Sequence, residues 1–298
     1  MKSSARVFPA AVVVWGLASS ACTVTVDSYS EIVREEKQFK VTGTPTLQLT
    51  TFDGSIEIQG WDKPHVVVEI EKRGTNREAL DNLEVKTTQN GDLIELEVKR
   101  PRAESFRGIG LHRTAYARLI VSVPRKANIV ARSGDGSIKV DRVSGRLELR
   151  TGDGSIRAAD VAGELSLDTN DGSVTVENAI GRLAVDTGDG SVNVSGKFGQ
   201  VKLHTADGSV VYRAEPGSAM AGDWDITTGD GSVSIYLPLG FCANVDAHTG
   251  DGAIRSEIDG LAPPARESAR RSLKGSIGDG GKLLRVRTGD GSIRFRTN

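Results

Sequence analysis

An aspartate held between small residues recurs along this chain in one local setting. Nine close variants of Thr-Gly-Asp-Gly-Ser followed by Ile or Val carry Asp53, Asp135, Asp153, Asp171, Asp189, Asp207, Asp230, Asp251 and Asp290. Carboxylates in such a series have two chemistries open to them. Stacked at strand spacing they repel, and a hard cation such as calcium would bridge them with oxygen ligands. Alternatively the motif is a corner: Gly supplies positive φ, and Asp accepts hydrogen bonds from turn amides. Calcium-binding β-rolls carry Gly-Gly-x-Gly-x-Asp nonapeptides, whereas this chain has another period, one Asp per turn and one following Gly. The structural turn is therefore the reading of Asp135, Asp153, Asp171, Asp189 and Asp207, and of Gly154 and Gly172, for which positive φ is expected. No metal site and no cofactor is assigned, and a calcium-stabilised repeat protein is kept as an alternative. Thr151, Thr169, Thr187 and Thr205, with Ser155, Ser173, Ser191 and Ser209, are expected to form hydroxyl ladders that satisfy one another between units. Ice binding, which uses flat threonine arrays, is disfavoured because the column before Thr varies through Arg150, Asp168, Asp186 and His204.

Other reactive side chains do not assemble into a catalytic set by sequence. The four histidines, His65, His112, His204 and His248, are scattered, and the many serines sit in turns without a nucleophile-elbow motif. His204 and His248 are expected in the same outward column, as surface residues. No enzyme activity is assigned, a polysaccharide-acting β-helix enzyme being the alternative. Trp61, Trp224 and Tyr236 are the aromatic residues open to a sugar-binding role.

The spacing of the motif prescribes the elements that position it. Asp135 to Asp207 follow one another at intervals of 18 residues, a period short and strict enough to mean stacked units. Within one unit Ile138 and Val140 alternate with Lys139, and Leu147 and Leu149 alternate with Glu148. That alternation predicts short half-buried strands. The fold class expected is all-β: a single-stranded parallel β-solenoid of about 18 residues per coil, right-handed like most parallel crossovers. With 35 glycines and only 5% aromatic residues, the composition suits a thin stack rather than a wide core.

The ends are less regular. Lys2 and Arg6, the apolar run Val7 to Ala18, and Ser19-Ser20-Ala21 read as an export signal over residues 1–21. Cleavage after Ala21 exposes Cys22, the position acylated in bacterial lipoproteins. Ser19 departs from the usual Leu there, and ordinary signal peptidase would accept the same bond. Cys242 is then expected as a lone thiol packed between coils, with a Cys22–Cys242 disulfide as the rival. Residues 22–38 read as a polar tether. Residues 39–130 read as irregular coils, with a helix at Thr75 to Leu83 and a hairpin through Gln89-Asn90-Gly91-Asp92. Residues 131–298 read as the regular solenoid, interrupted by an insertion at 257–282 and ending almost at the C-terminus. The stretch Ser105 to Arg113 is a basic loop.

A resemblance joins these features. Gly60-Trp61-Asp62-Lys63-Pro64 with Val66-Val67-Val68, Val121-Ser122-Val123-Pro124, the serial Gly-Asp-Gly-Ser-Ile turns and the closing Arg287-Thr288-Gly289-Asp290-Gly291-Ser292-Ile293 resemble the bacterial candidate-adhesin family of unknown function. The likeness covers roughly residues 40–298. It implies an exported β-solenoid protein with a surface interaction role, and it carries no ligand or active-site residue. The expectation is a periplasmic, outer-membrane or cell-surface protein that binds or scaffolds. Its partner is unknown; an extended glycan or protein ligand suits a long flat rod. The net charge of −1, from 38 basic and 39 acidic residues, opposes nucleic acid as a partner. Membrane contact is expected only through an N-terminal lipid.

Overall fold

In the computed structural model, described for residues 22–27, 30–99, 115–261 and 271–298, the chain is all-β with one short helix. The first part comprises β1 (Cys22–Asp27), β2 (Ser30–Lys40), β3 (Thr46–Thr50), β4 (Ile56–Trp61), β5 (His65–Gly74), α1 (Arg77–Asp81), β6 (Val85–Asn90), β7 (Leu93–Val98) and β8 (Ala115–Pro124). The periodic part follows as β9 (Asn128–Arg132), β10 (Ile138–Asp141), β11 (Ser144–Thr151), β12 (Ile156–Ala159), β13 (Ala162–Thr169), β14 (Val174–Thr187) and β15 (Val192–Thr205). The remaining strands are β16 (Val210–Ala214), β17 (Trp224–Thr228), β18 (Val233–Leu237), β19 (Ala243–Thr249), β20 (Ile254–Ser256), β21 (Ser272–Ile277), β22 (Leu283–Thr288) and β23 (Ile293–Thr297).

The repeats pair in parallel at the register their period dictates. Ile138 lies opposite Ile156, Ile156 opposite Val174, and Val174 opposite Val192. Beyond the corner, Leu147, Leu165 and Leu183 form a second row, with Leu149, Leu167 and Val185 beside it. All of these are buried, while Lys139, Arg157, Glu164 and Asp168 between them are exposed. A one-residue slip would turn every apolar side chain outward, so the alternation locks the register. Each fully buried aliphatic side chain contributes about 1.5–3 kcal/mol, and no single repeat can collect that without neighbours.

The corner between the two rows is held by threonine. Thr51, Thr151, Thr169, Thr187, Thr205, Thr228, Thr249 and Thr288 are buried, with Ser133 in the ninth place. Thr205 Oγ1 donates to the Gly188 and Gly190 carbonyls of the preceding repeat at 3.0 Å each and accepts from the Gly208 N–H at 3.1 Å. Thr169 does the same with Gly152, Gly154 and Gly172. The expected ladder thus runs from hydroxyl to backbone, not hydroxyl to hydroxyl. Ser155, Ser173, Ser191 and Ser209 face solvent and take no part in it. Nor do the aspartates cap the turn. Among the described residues, the carboxylates of Asp135, Asp153, Asp171, Asp189 and Asp207 are exposed and accept no hydrogen bond, while the Gly136, Gly172 and Gly208 N–H groups donate to the corner hydroxyls of Ser133, Thr169 and Thr205.

The glycine expectation also changes its reason. Gly154 and Gly172 do not have positive φ. They are glycine because a Cβ would lie 2.3 Å from the Gly136 carbonyl oxygen and 2.0 Å from that of Gly154, respectively. Positive φ sits instead at the opposite corner, at Gly145, Gly163, Gly181 and Gly196, and at the non-glycine residues Arg142, Asp160 and Asn178.

Strand order is mixed, which corrects the purely parallel, sequential stack. The first repeat, β3–β4, lies between β7–β8 and β9–β10. The last repeat, β22–β23, lies between β17–β18 and β19–β20, so the stack does not end at the C-terminal repeat as expected. Thr288 accordingly bonds the Gly231 carbonyl and Thr249 bonds that of Gly291, each at 2.7 Å. Antiparallel strands continue the sheet at both ends. β1–β2–β5 extends from β8, β6 covers β7, and β21, within the expected insertion, pairs with β19. Residues 30–40, expected as part of a tether, therefore form a strand; its Val33 and Phe39 are buried. α1 is shorter than the expected Thr75 to Leu83, running Arg77–Asp81 with Asn76 as its cap, the Asn76 Oδ1 accepting from the Ala79 N–H at 2.9 Å. The basic loop 105–113 and residues 262–270 lie outside the described residues.

Glu71 on β5 is the buried charge of this end. Burial pushes its carboxyl up, but hydrogen bonds from Arg34 (2.9 Å) and Arg73 (2.6 Å) outweigh that and hold it below its ordinary range. At the other end burial acts likewise on Asp246, and Arg287 at 3.1 Å overcomes it.

Thr205→Val removes bonds to two carbonyls and one amide and should cost about 1–3 kcal/mol in denaturant melts. Gly172→Val should cost about 3 kcal/mol or more, while Asp153→Asn should stay within about 0.5 kcal/mol of the parent; a larger loss at Asp153 than at Thr205 would overturn the threonine corner. For Glu71 and Asp246 the folded pKa lies below the unfolded value, so the unfolded chain takes up protons first on acidification. Their stabilisation is complete above the ordinary values of 4.5 and 3.8 and is lost as pH falls through the folded values. Stability measured against pH should decline below that window, and Glu71→Gln should flatten the decline.

Candidate functional site

Because the threonine corner fixes every outward side chain in a column, the surface consists of ridges and flat faces. All nine motif aspartates fall on one ridge, in the spatial order 53, 135, 153, 171, 189, 207, 230, 290 and 251. They present one carboxylate per repeat, about 4.8 Å apart by strand spacing. Among the described residues no group of three or more His, Cys, Asp or Glu converges as a metal-binding cluster. Asp251 is paired with Arg271 at 3.2 Å.

The histidines are not brought together. Thr227 and Arg287 separate His204 from His248 in their shared column, and His112 lies outside the described residues. His65 meets Trp61 edge to face at 4.8 Å and accepts its indole N–H through the backbone carbonyl at 2.9 Å. Lys63 lies over the same indole at 4.7 Å. The adjoining Arg125 hydrogen-bonds Asp62 and holds its carboxyl below the usual range. These contacts brace the Trp61 turn. Trp224 is fully buried against Tyr212 and Phe241, which removes it from any sugar platform. Burial pushes the Tyr212 phenol up, so it stays neutral within that aromatic core.

Cys242 is exposed and free, which corrects the expectation of a thiol packed between repeats. It lines an open groove of ≈ 530 Å³ with Met220, Gly240, Gly281 and Lys282. The lengthened loops before β17 and β19 leave its side of the stack uncovered. Cys22 begins β1, and the expected signal segment 1–21 lies outside the described residues.

Arginine–carboxylate pairs lie on both flat faces. On the face before the Asp corner, Glu148 pairs with Arg132 and Arg150, Asp225 with Arg285, and Asp246 with Arg287. On the face after the corner, Arg118 pairs with Glu57 and Arg157 with Glu177. Past β15 that pairing thins to a single carboxylate among the described residues. Arg213 on β16 stacks on Tyr236 of β18 at 4.3 Å, and Arg296 of β23 donates to the Tyr236 hydroxyl at 3.4 Å. Arg255 and Arg294 stand directly opposite each other on β20 and β23 and make no ion pair among the described residues. Glu257, 3.3 Å from Arg296, is the acidic partner here. Sequence reasoning missed this cluster because its members are up to 83 residues apart by number, Arg213 to Arg296. The alternating Arg294-Phe295-Arg296 was its one local signal.

Comparison with known proteins finds similar solved structures at low identity. A candidate lipid binding protein from Parabacteroides distasonis is 14% identical with a TM-score of 0.49, covering 88% of this chain and 96% of its own. A candidate adhesin from Parabacteroides merdae is 10% identical at 0.44, covering 88% and 95%, and a candidate cell adhesion protein from Clostridium sporogenes is 17% identical at 0.29, covering 89% and 99%. A search of the curated proteins finds no significant match. No helix among the described residues is long and apolar enough to cross a membrane. Residues 46–296 match one family throughout, and the chain belongs to it: the Toastrack DUF4097 family, a domain of unknown function.

Proposed function

We propose that the protein is a non-enzymatic, exported binding module of the cell envelope, adhesin-like in role. The observation that carries this reading is the Arg213–Tyr236–Arg296 and Arg255–Arg294 cluster, four arginines against the one carboxylate of Glu257 among the described residues, on a flat, register-locked face. A flat array fixed by backbone pairing offers repeated contacts to an extended ligand without ordering loops, which lowers the entropic cost of binding. On this reading the parallel repeats wind as a right-handed β-solenoid, the hand favoured for parallel crossovers. Residues 1–21 direct export, and Cys22 carries a lipid that leaves the stack facing outward from the membrane.

Two measurements test the proposal in native cells. Fractionation with mass spectrometry of the mature N-terminus should place the protein in the envelope with a diacylglyceryl group on Cys22. A cytoplasmic protein with an intact leader would overturn the export reading, and an unmodified Cys22 the anchor alone. Cross-linking on intact cells should capture an extended envelope or extracellular component, and capture should fall when the arginines of the cluster are replaced. A full catalogue of glycans and proteins showing no binding would leave a structural spacer and end the binding reading.

A further inference from the structure

The arginines past β15 differ from the others in what orders them. Elsewhere on the two faces Arg118, Arg132, Arg150, Arg157, Arg285 and Arg287 are each held by a carboxylate, which both positions and neutralises the guanidinium. Here Tyr236 positions two of them while neutralising neither: its ring lies under Arg213 and its hydroxyl accepts from Arg296. Stacking on an aromatic face contributes about 0.5–1 kcal/mol at an exposed site and leaves the five guanidinium donors free at their edges. Arg255 and Arg294 then face each other as like charges in register, an arrangement that is unfavourable unless an anion joins them. With Glu257 as their one acidic partner among the described residues, the four arginines carry three excess positive charges there, in a protein whose net charge is −1.

We propose that this end of the face binds an acidic polysaccharide, with carboxylate or sulfate groups of successive sugars seated on Arg255, Arg294, Arg296 and Arg213. The inference deepens the binding-module reading and rests on it. Guanidinium groups pair with such oxyanions through two parallel hydrogen bonds, which adds geometric selection to charge. Strand spacing sets adjacent arginines about 4.8 Å apart, and Arg213 and Arg296 about twice that. Anionic groups carried once per sugar match such a sparse row. Ser234 and Ser292 lie in the adjoining outward positions and offer hydroxyls to the sugar's own. Two features disfavour other polyanions. The aspartate ridge, through Asp207, Asp230, Asp290 and Asp251, borders this face and repels a backbone as densely charged as nucleic acid, with one charge per about 1.7 Å. The exposed large apolar side chains, Tyr116, Ile180 and Leu239, lie outside these two columns, so the face lacks the anchors that seat a protein in a bilayer.

The test is calorimetric titration of the purified full chain with oligomers of polygalacturonate, alginate and chondroitin sulfate, against methyl-esterified polygalacturonate of equal length. Binding should occur with the acidic oligomers, weaken as salt rises, and be lost with the ester. Arg255→Gln with Arg294→Gln should weaken it by tenfold or more, with an unchanged thermal melt showing that the fold persists. Arg255→Lys with Arg294→Lys should keep part of the affinity, having charge without the planar fork. Equal affinity for the ester, no affinity for any acidic oligomer, or no effect of the glutamine pair overturns the inference. So does arginine-dependent binding to phosphatidylglycerol vesicles or to single-stranded DNA in place of the oligomers. Binding of a neutral glycan or capture of a protein on cells, unaffected by the arginines, would sink this inference and leave the binding-module reading standing. Absence of any ligand in both sets of experiments removes both.

Discussion

One kind of contact, repeated through the stack, governs this molecule: a buried corner hydroxyl, threonine in eight repeats and serine in the ninth, that bonds the backbone of its own turn, of the neighbouring repeat, or of both. The polar groups of a sharp, buried turn must be satisfied, and at Thr169 and Thr205 a single side chain serves both the amide of its own repeat and the carbonyls of the preceding one. The consequences are steric. Repeats joined this closely leave no room for a Cβ at the second glycine, which explains why Gly136, Gly154, Gly172, Gly190 and Gly208 are invariant within the chain. The first glycine position tolerates Phe52, Asn170 and Ala206. The aspartate between them is left facing water.

Register follows from the same contact and from the alternation of apolar residues, and the two agree. Their agreement lets neighbours stack without shared long-range design, as in other quasi-one-dimensional proteins. Such a stack has two vulnerable edges. This one manages them with antiparallel strands at either end, and with terminal repeats that are threaded between others rather than laid on the outside. The intercalated first and last repeats are paired on both sides, so both are bound by twice the backbone ladder of an edge repeat.

Function, in this architecture, falls to what the corner does not constrain. The inward columns are fixed by packing, and the ridge by turn chemistry, which leaves the outward columns of the flat faces free to vary. Most of that variation is internally balanced, guanidinium against carboxylate across neighbouring repeats. The exception past β15 is where order is supplied by a tyrosine. Membership of the Toastrack DUF4097 family accounts for the scaffold, and the unbalanced columns account for what distinguishes this surface. The groove at Cys242 and Met220 arises from longer loops rather than from a built polar site.

By itself the sequence determined the all-β class, the 18-residue period, the inward rows and the family resemblance, because each is a local pattern repeated until chance is excluded. The hairpin through Gly91 and the short helix were legible for the same reason, from turn and capping residues within a few positions of each other. It misassigned the corner chemistry: Asp and Thr both suit a turn amide, and only the stacked geometry shows that the hydroxyl is buried and the carboxylate is not. It also misplaced the positive φ values, since Arg142, Asp160 and Asn178 look like ordinary polar residues in one dimension. Strand order was beyond it, because the repeats are near-identical and one copy is as good a neighbour as another. Which copies meet is decided by loop lengths and by the antiparallel ends. That decision set Arg213, Tyr236, Arg296, Arg294 and Arg255 side by side, and with them the candidate site.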